Sequence, residues 1–217
     1  MNAELVTLAN PRSAVAEAYR TLRTNIQLSS LDQPLRTLLV ASAGPDEGKS
    51  TTLANLAVAF AQAGRRTILV DSDLRRPSLH TLLGSPNDRG LTTMLLQDDA
   101  PAPLIEMPVE GLRLLPSGPV PPNPSELLAS RRLEQAIARL TDDADLVLFD
   151  SPPALAVSDA AVLSRRVDGV LLVVSAGRTR REHAARARQV LERAGARLLG
   201  VVLNNASVGD ALYSYEG

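Results

Sequence analysis

Residues 37–60 read TLLVASAGPDEGKSTTLANLAVAF, and this stretch decides the fold. Its residues 38–42 are a short apolar run typical of a strand buried inside a parallel sheet. A loop follows at 43–51, and apolar residues then recur with helical spacing at positions 53, 56, 57 and 60. The order is thus a strand, a loop that contains Gly-Lys-Ser, and a helix. In such a unit, the backbone N–H groups of the loop and the N-terminus of the helix can hold phosphate. The stretch therefore predicts a phosphate-binding loop.

Lys49 is the residue of this loop that the composition of the chain singles out. Of the 23 basic residues, 22 are arginine, and Lys49 is the one lysine. A compact ammonium on a flexible stem suits a contact with the β and γ phosphates of a nucleotide, and a planar guanidinium does not replace it there. Ser50 offers a hydroxyl to Mg²⁺. The predicted nucleotide-binding residues of the loop are Gly44, Pro45, Asp46, Glu47, Gly48, Lys49, Ser50 and Thr51.

The loop departs from the usual spacing at one position. The usual pattern places a glycine five residues before Gly48, where this chain has Ala43, and its glycine follows one residue later, at Gly44. The match is therefore to a variant of the loop. A helix cap after a tight turn remains the alternative interpretation.

Carboxylates follow two further apolar runs. Residues 67–70 lead into Asp71 and Asp73, whose spacing in an extended segment puts both side chains on one side. A second run at 145–149 leads into Asp150, which could hold a water of a Mg²⁺ shell. Each aspartate alone is also what an ordinary turn after a strand contains. Three such strand ends, one of them a phosphate loop, predict a site at the carboxyl edge of a sheet.

The rest of the chain alternates predicted strands and helices. Strands are indicated at 112–115, 170–174 and 198–203, and helices at 124–140, 158–165 and 179–194. This alternation predicts an α/β fold of three layers, a mostly parallel sheet with helices on both faces. We expect one domain over 1–217, because the proline-rich segment 116–124 is followed at once by the helical pattern.

Composition excludes several other functions. The chain has no cysteine, and its two histidines are far apart in sequence, so thiolate or imidazole metal sites are not expected. No run approaches the roughly 18 apolar residues of a membrane span, and the N-terminus lacks a signal-peptide pattern, which favours a cytosolic protein. A net charge of −1 does not favour nucleic acid as a partner. The seven arginines of 178–197 are the one local exception, although such a surface is more often merely solvated.

Four segments together resemble the bacterial tyrosine kinases of capsule and exopolysaccharide synthesis. They are the variant phosphate loop, DSDLRRP at 71–77, PSGPVPPNPSELL at 116–128 and DSPP at 150–153. The resemblance runs from position 17 to the end of the chain. It implies a P-loop kinase that uses ATP and Mg²⁺, and the lack of an NKxD guanine signature favours ATP over GTP.

The resemblance also implies roles for single residues. Lys49 and the loop amides would bind the ATP phosphates, and Asn204 would read the adenine edge. Asp71 would orient or deprotonate an incoming tyrosine hydroxyl. The residues that would organise Mg²⁺ are Ser50, Asp73 and Asp150.

The two ends of the chain carry the remaining features of this resemblance. A helix at about 13–30 matches the oligomerisation signature of the family at Glu17, Arg20, Arg23, Thr24 and Asn25, although pairing within the chain is the alternative. A short tail at about 207–217 carries Tyr213 and Tyr215, the expected phosphate acceptors, where relatives have several tyrosines. The resemblance implies a ring-like homo-oligomer that phosphorylates itself between subunits.

The family context implies a location and a partner. A separate transmembrane adaptor of polysaccharide chain-length control would recruit the cytoplasmic chain to the inner face of the cell membrane, with no other membrane contact. The competing interpretations are an assembly ATPase like those of cell division and partitioning (MinD, ParA), and a binding module that uses ATP only to assemble. The ATPases carry a lysine where this chain has Gly44, which favours the kinase.

Overall fold

The fold is given by a computed structural model that describes residues 5–31, 33–97 and 101–206. Its centre is a seven-stranded sheet made of β1 (Thr37–Ser42), β2 (Thr67–Asp71), β3 (Ile105–Glu106), β4 (Leu112–Leu115), β5 (Leu146–Asp150), β6 (Gly169–Ser175) and β7 (Leu198–Asn204). The strand order is β3-β4-β2-β5-β1-β6-β7. All neighbours are parallel except β3 and β4, which are antiparallel.

Helices cover both faces of this sheet. Within the described residues they are α1 (Val6–Ala9), α2 (Ala14–Leu28), α3 (Lys49–Gln62), α4 (Leu79–Leu83), α5 (Leu91–Leu96), α6 (Pro124–Ala129), α7 (Arg131–Asp143), α8 (Asp159–Ser164) and α9 (Arg181–Arg193). Helices α2 to α4 pack on one face and α5 to α9 on the other, each over its own apolar cluster. The three-layer α/β fold expected from the sequence is confirmed. Within these residues, no helix combines the length and apolar composition needed to cross a bilayer.

The central strands are buried on both faces. Every residue of β1, β2, β5 and β6 is buried, and alternate residues of each strand enter opposite clusters. Leu38 and Val40 pack toward α3, whereas Leu39 and Ala41 pack toward the other helical layer. Burial of a leucine side chain contributes about 1.5–3 kcal/mol, so these continuous apolar runs stabilise the sheet from both sides. This is why they have no polar alternation in the sequence.

The structure corrects two details of the sequence interpretation. The helix predicted at 124–140 is two helices, α6 and α7, because Ser130 is extended with φ −70° and ψ 156°. The Ser130 hydroxyl donates to the carbonyl of Leu127 at 2.7 Å and so satisfies a C-terminal oxygen of α6. The two-residue strand β3 was not expected, and it covers the edge of β4.

A clamp joins the loop after α4 to the loop after β4. Leu91 N–H donates to the carbonyl of Pro116 at 2.7 Å, and Thr92 N–H donates to that of Ser117 at 2.8 Å. Gly90 makes this approach possible: a Cβ there would lie 2.1 Å from the Pro116 oxygen and 2.3 Å from the Gly118 nitrogen. The glycine is therefore required by space and not by its φ angle.

We expect Gly90→Ala to lower the free energy of unfolding by about 1–3 kcal/mol, because backbone must move to admit the methyl group. Gly200→Ala is the matched control, since nothing lies within 4 Å of a Cβ at that position. Urea unfolding of both variants checks this. Equal stability of the two would contradict the clamp.

Candidate functional site

The phosphate loop lies between β1 and α3, as the sequence predicts. Gly48 has a left-handed φ of 83° directly before α3 begins at Lys49, and Asp46 is left-handed too, with φ 55°. Pro45 and Asp46 are exposed at the tip of the loop, whereas Glu47 is buried. The loop therefore turns its backbone N–H groups and the α3 N-terminus toward one open edge of the sheet.

A brace around Glu47 holds the shape of the loop, and sequence reasoning missed this role. The two carboxylate oxygens of Glu47 accept from Ala43 N–H at 2.9 Å and from the Thr179 hydroxyl at 2.6 Å. Asn204 donates its side-chain N–H to the carbonyl of Glu47 at 3.0 Å. These contacts support a loop that has Ala43 where a glycine is usual. Thr179 and Asn204 lie more than 130 residues from Glu47 in sequence, so no local sequence pattern could predict these contacts.

The position of Asn204 also explains why residue 48 is a glycine. A Cβ on Gly48 would lie 1.9 Å from Nδ2 of Asn204, and the φ of Gly48 is unfavourable for any side chain. The predicted adenine-reading residue thus lies against the phosphate loop, at the end of β7.

Lys49, Ser50 and Asp150 form one buried cluster at the carboxyl edge of the sheet. Lys49 Nζ lies 2.5 Å from Oδ1 of Asp150 and 3.1 Å from the Ser50 hydroxyl. The Ser50 hydroxyl donates to Oδ2 of Asp150 at 2.6 Å. Asp150 is fully buried, and Lys49 is 8% exposed. Because buried charges are stable only when paired, the cluster keeps a lysine and a carboxylate charged without solvent.

Asp71 is the second carboxylate of this cluster. Strands β2 and β5 pair Asp71 with Asp150, so the two residues are level on neighbouring strands. Oδ2 of Asp71 accepts from the N–H groups of Ser78 and Leu79 at 3.0 and 2.9 Å, whereas its buried Oδ1 has no partner. Burial, and then the Asp150 carboxylate, raise the pKa of Asp71 to about 7. A carboxylate of this pKa with a free oxygen is suited to take a proton near neutral pH.

Asp73 is buried as well, but it turns toward its own loop. Its Oδ1 accepts from the backbone N–H groups of Arg75 and Arg76 at 3.3 and 3.0 Å. Burial raises its pKa. Among the described residues, no hydrogen bond joins Asp73 to Lys49, Ser50 or Asp150.

A further buried carboxylate, Asp159, was not singled out from the sequence. Asp159, at the start of α8, is fully buried and binds Arg75 through two contacts of 2.8 and 3.2 Å. The Ser125 hydroxyl donates to the same carboxylate at 2.6 Å. Arg75 also donates to the Ser125 hydroxyl at 2.8 Å. This hydrogen bond links the DSDLRRP and PSELL segments, whose residues Arg75 and Ser125 are 50 positions apart in sequence.

The arginines of 178–197 are partly used within the chain. Arg178 donates to the carbonyl of Asp46 at 3.1 Å, Arg188 pairs with Glu192 at 2.7 Å, and Arg197 donates to the carbonyl of Ser29 at 3.2 Å. The pair with Glu192 offsets one of these charges, whereas the contacts to carbonyls hold Arg178 and Arg197 in place without neutralising them.

The predicted oligomerisation helix is α2, capped by Ser13, whose hydroxyl accepts from Ala16 N–H at 3.1 Å. Glu17 and Arg20 pair within the helix at 2.7 Å, and Arg23 donates to the carbonyl of Ala59 in α3 at 3.0 Å. Both contacts lie within one chain, and pairing of this kind is the alternative to oligomerisation that the sequence left open. Glu17, Thr24 and Asn25 remain exposed. The tail at 207–217, with Tyr213 and Tyr215, lies outside the described residues.

The oxygen-rich cluster fits a hard divalent cation such as Mg²⁺. Ser50 and Asp150 supply oxygen donors on one side of the phosphate loop, and the buried carboxylate of Asp71 lies level with Asp150 on the next strand. Across residues 5–31, 33–97 and 101–206, no group of three or more His, Cys, Asp or Glu could hold a metal alone. A nucleotide-bound Mg²⁺ does not need such a group, because phosphate oxygens and water supply most of its ligands.

Comparison with known proteins identifies the family. A model of the ParA family, described as the NUBPL iron-transfer P-loop NTPase, matches residues 35–210. Tyrosine-protein kinase YwqD of Bacillus subtilis is 41% identical over 219 residues, covering 100% of this chain and 92% of the relative. The chain belongs to the bacterial tyrosine kinases. As a kinase of the ParA-like class without a cysteine, it has no thiolate for iron.

Solved structures support the same assignment. The chimerical protein CapA2B2 matches this kinase with a TM-score of 0.89 at 37% identity, covering 93% of this chain and 89% of that one. The kinase domain of Escherichia coli tyrosine kinase ETK gives 0.88 at 34%, covering 100% and 86%. The cell-division ATPase MinD of Pyrococcus furiosus gives 0.68 at 28%, covering 81% and 74%. The lower likeness to MinD does not favour the assembly-ATPase interpretation.

We expect Asp71→Asn to stabilise the ligand-free kinase more strongly at pH 8 than at pH 5. Between pH 3.8 and about 7 the folded chain keeps a proton on Asp71 that the unfolded chain has lost. The free energy of unfolding therefore falls as pH rises through this window, by up to about 1.4 kcal/mol per pH unit from this group. Asparagine removes that fall and can still accept from Ser78 and Leu79.

The measurement is urea unfolding across this pH range without nucleotide or metal. Asp88→Asn, at an exposed position, is the matched control. A difference between Asp71→Asn and the parent that does not change with pH would contradict the raised pKa.

Proposed function

We propose that this single-domain chain is an ATP-dependent protein-tyrosine autokinase that regulates the synthesis and export of capsular polysaccharide or exopolysaccharide. It transfers the γ-phosphoryl group of ATP to Tyr213 and Tyr215 of a neighbouring subunit. The observation that carries the proposal is the free, buried Oδ1 of Asp71, level with Asp150 and Lys49 at the carboxyl edge of the sheet.

Lys49 and the loop residues 44–51 bind the phosphates of ATP, and Asn204 contacts the adenine. When phosphate enters, the Lys49 ammonium leaves Asp150 and moves to the β and γ phosphates. Ser50, Asp73 and Asp150 would hold Mg²⁺, directly or through water, and the bound ion would supply positive charge against the phosphates. Asp73 supports this from its loop, where the backbone N–H groups of Arg75 and Arg76 fix its carboxylate.

Asp71 acts on the incoming tyrosine. Its backbone contacts to Ser78 and Leu79 fix one oxygen, so the other oxygen can accept the phenolic proton. The phenolic oxygen forms a bond to the γ phosphorus, the bond from that phosphorus to the β–γ bridging oxygen breaks, and ADP leaves. Phosphoryl transfer requires mainly positioning and neutralisation of charge, which two carboxylates, a lysine and a metal supply.

The order of the strands favours transfer between subunits. Strand β7, which precedes the tail, is four strand spacings from β2, or roughly 19 Å. Six residues separate Ala206 from Tyr213, and the seven steps from one to the other span about 23 Å when fully extended. A tail reaching its own Asp71 would have to run almost straight across the phosphate loop, where ATP binds. A neighbouring subunit can approach from the open side.

The homo-oligomer that this requires uses α2. Glu17, Thr24 and Asn25 are exposed on this helix, and Arg20 is only partly covered by its pair with Glu17. Exposed pairs contribute little stability, so Arg20 can exchange its partner for one on a neighbour. We propose a ring in which α2 forms part of the contact between subunits.

A transmembrane adaptor completes the assignment. We propose that the chain works in the cytoplasm and is recruited to the inner face of the cell membrane by a separate polysaccharide chain-length protein. The resemblance of the 71–77, 116–128 and 150–153 segments to capsule kinases supports this partner. The structural likeness to the CapA2B2 chimera agrees with it.

We expect purified protein incubated with ATP and Mg²⁺ and an adaptor tail peptide to gain phosphate on Tyr213 or Tyr215. Lys49→Ala removes the phosphate contact and should lower the phosphate gained at least a hundredfold, and Tyr213→Phe/Tyr215→Phe removes the acceptors. Intact mass and phosphosite mapping measure both. Tyr19→Phe is the matched control, because Tyr19 is half-buried on α2 and should leave the signal unchanged. ATP hydrolysis without phosphotyrosine would support an assembly ATPase instead.

We expect Arg20→Glu to shift the protein from an oligomer to a monomer in light scattering coupled to size exclusion. The substitution replaces the cation by a like charge beside Glu17, and its effect on unfolding should stay within about 1 kcal/mol. Arg188→Glu, on α9, reverses a comparable exposed charge elsewhere. An unchanged mass for Arg20→Glu would exclude α2 from the contact.

A further inference from the structure

A proline-rich segment borders the catalytic edge of the sheet and has no role so far. We name residues 116–125, PSGPVPPNPS, the proline rim. Strands β4 and β2 pair Leu115 with Val70, so Pro116 is level with Asp71 on the neighbouring strand. Adjacent strands lie about 4.8 Å apart. The rim therefore starts beside the carboxylate proposed to receive the tyrosine proton.

Both ends of the proline rim are fixed. At its start, Oδ1 of Asn87 accepts from Gly118 N–H at 2.8 Å and from the Ser117 hydroxyl at 3.1 Å. At its end, Ser125 donates to the buried carboxylate of Asp159 at 2.6 Å and accepts from Arg75 at 2.8 Å. Arg75 follows Asp73 by two residues. The rim thus starts beside Asp71 and ends at the Arg75–Asp159 pair.

The tip of the rim is apolar and exposed. Pro119, Val120 and Pro122 are exposed, with Val120 at 60%, whereas Pro121 is buried beneath them. Five prolines between 116 and 124 restrict the backbone, so the surface is ordered before any partner arrives. A rigid apolar surface binds a partner with less loss of entropy than a mobile one. No charged side chain lies between 116 and 125.

We propose that the tip of the proline rim binds the aromatic ring of the acceptor tyrosine from a second copy of this chain, with Val120 as a specificity-determining residue. Proline and aromatic rings pack on each other in many peptide complexes. This inference rests on the proposed kinase function and names the surface that selects the acceptor. We expect a ring held on the rim to present its hydroxyl to Asp71, because the rim begins one strand away from that carboxylate.

The composition of the chain favours the tail as the occupant. Aromatic residues make up only 2% of the sequence, and two of its three tyrosines are in the last five residues. Tyr19, the third, is half-buried on α2, and burial raises the pKa of its hydroxyl. The tail follows β7, five strand spacings from β4, so the tail of another copy fits the rim better than the chain's own tail.

The test separates acceptor binding from the chemical step. The enzyme is the full chain with Tyr213→Phe/Tyr215→Phe, which cannot accept phosphate on its own tail. The acceptor is the full chain with Lys49→Ala, which retains both tyrosines but cannot use ATP. Phosphotyrosine formed on the acceptor is measured at saturating ATP, Mg²⁺ and adaptor tail peptide while the acceptor concentration is varied.

In this assay we expect Val120→Ser in the enzyme to raise the KM for the acceptor about fivefold, while kcat and the KM for ATP stay near the parent values. Val120→Asp should raise that KM further, and more at low salt, because the tail carries Asp210 and Glu216. Val201→Ser is the matched control: Val201 is 56% exposed on β7, at the opposite side of the sheet, and should leave all three constants unchanged.

The outcomes separate the inference from the proposed function. If the parent enzyme forms no phosphotyrosine on the acceptor, the kinase proposal itself fails. If it does, and Val120→Ser keeps the acceptor KM of the parent, the rim does not bind the acceptor. A fall in kcat or a raised KM for ATP in Val120→Ser would show a general structural effect and would also overturn the inference.

Discussion

The buried pair of Lys49 and Asp150 is the interaction on which the rest of the site depends. Each charge would be costly to bury alone, and each is stable here because the other lies 2.5 Å away. The parallel register brings Asp71 to the level of Asp150, which adds a second carboxylate to one lysine. Burial, and then the neighbouring Asp150 carboxylate, raise the pKa of Asp71 to about 7. The geometry of the strands thus determines the protonation of the site.

The same sheet places β7 on the far side of the phosphate loop from Asp71. Asp71 ends β2, near one side of the sheet, and β7 forms the opposite edge. The nucleotide loop after β1 lies between them. A chain built in this way separates its acceptor from its own base by its own substrate, so the proposed autokinase needs a second copy. In the proposed reaction, oligomerisation would then be a consequence of strand order.

The sequence predicted those parts of the fold and site whose signals are local. Continuous apolar runs revealed the central strands, and Gly48-Lys49-Ser50 revealed the phosphate loop, because a buried parallel strand and a phosphate loop each need a particular short pattern. The break at Ser130 and the short strand β3 had no such pattern. The Glu47 brace and the Arg75–Asp159 pair join residues 132 and 84 positions apart, and only the folded chain brings them together. Proximity of this kind has no signature in one sequence.

The charge balance also explains why lysine, nucleotide and metal belong to one event. In the proposed reaction, Lys49 leaves Asp150 for the phosphates, so Asp150 and Asp71 lose the cation that compensated them. The arriving phosphates add further negative charge at the same edge. Repulsion among these groups in a buried site would oppose binding unless a second cation entered with the nucleotide. A chain that retains a single lysine has no other ammonium to supply it, and the arginines nearest in sequence to Asp73 are either paired with Asp159, as Arg75 is, or exposed, as Arg76 is. In the proposed reaction, the electrostatics of the protein would therefore require a divalent ion as much as the chemistry of phosphate does.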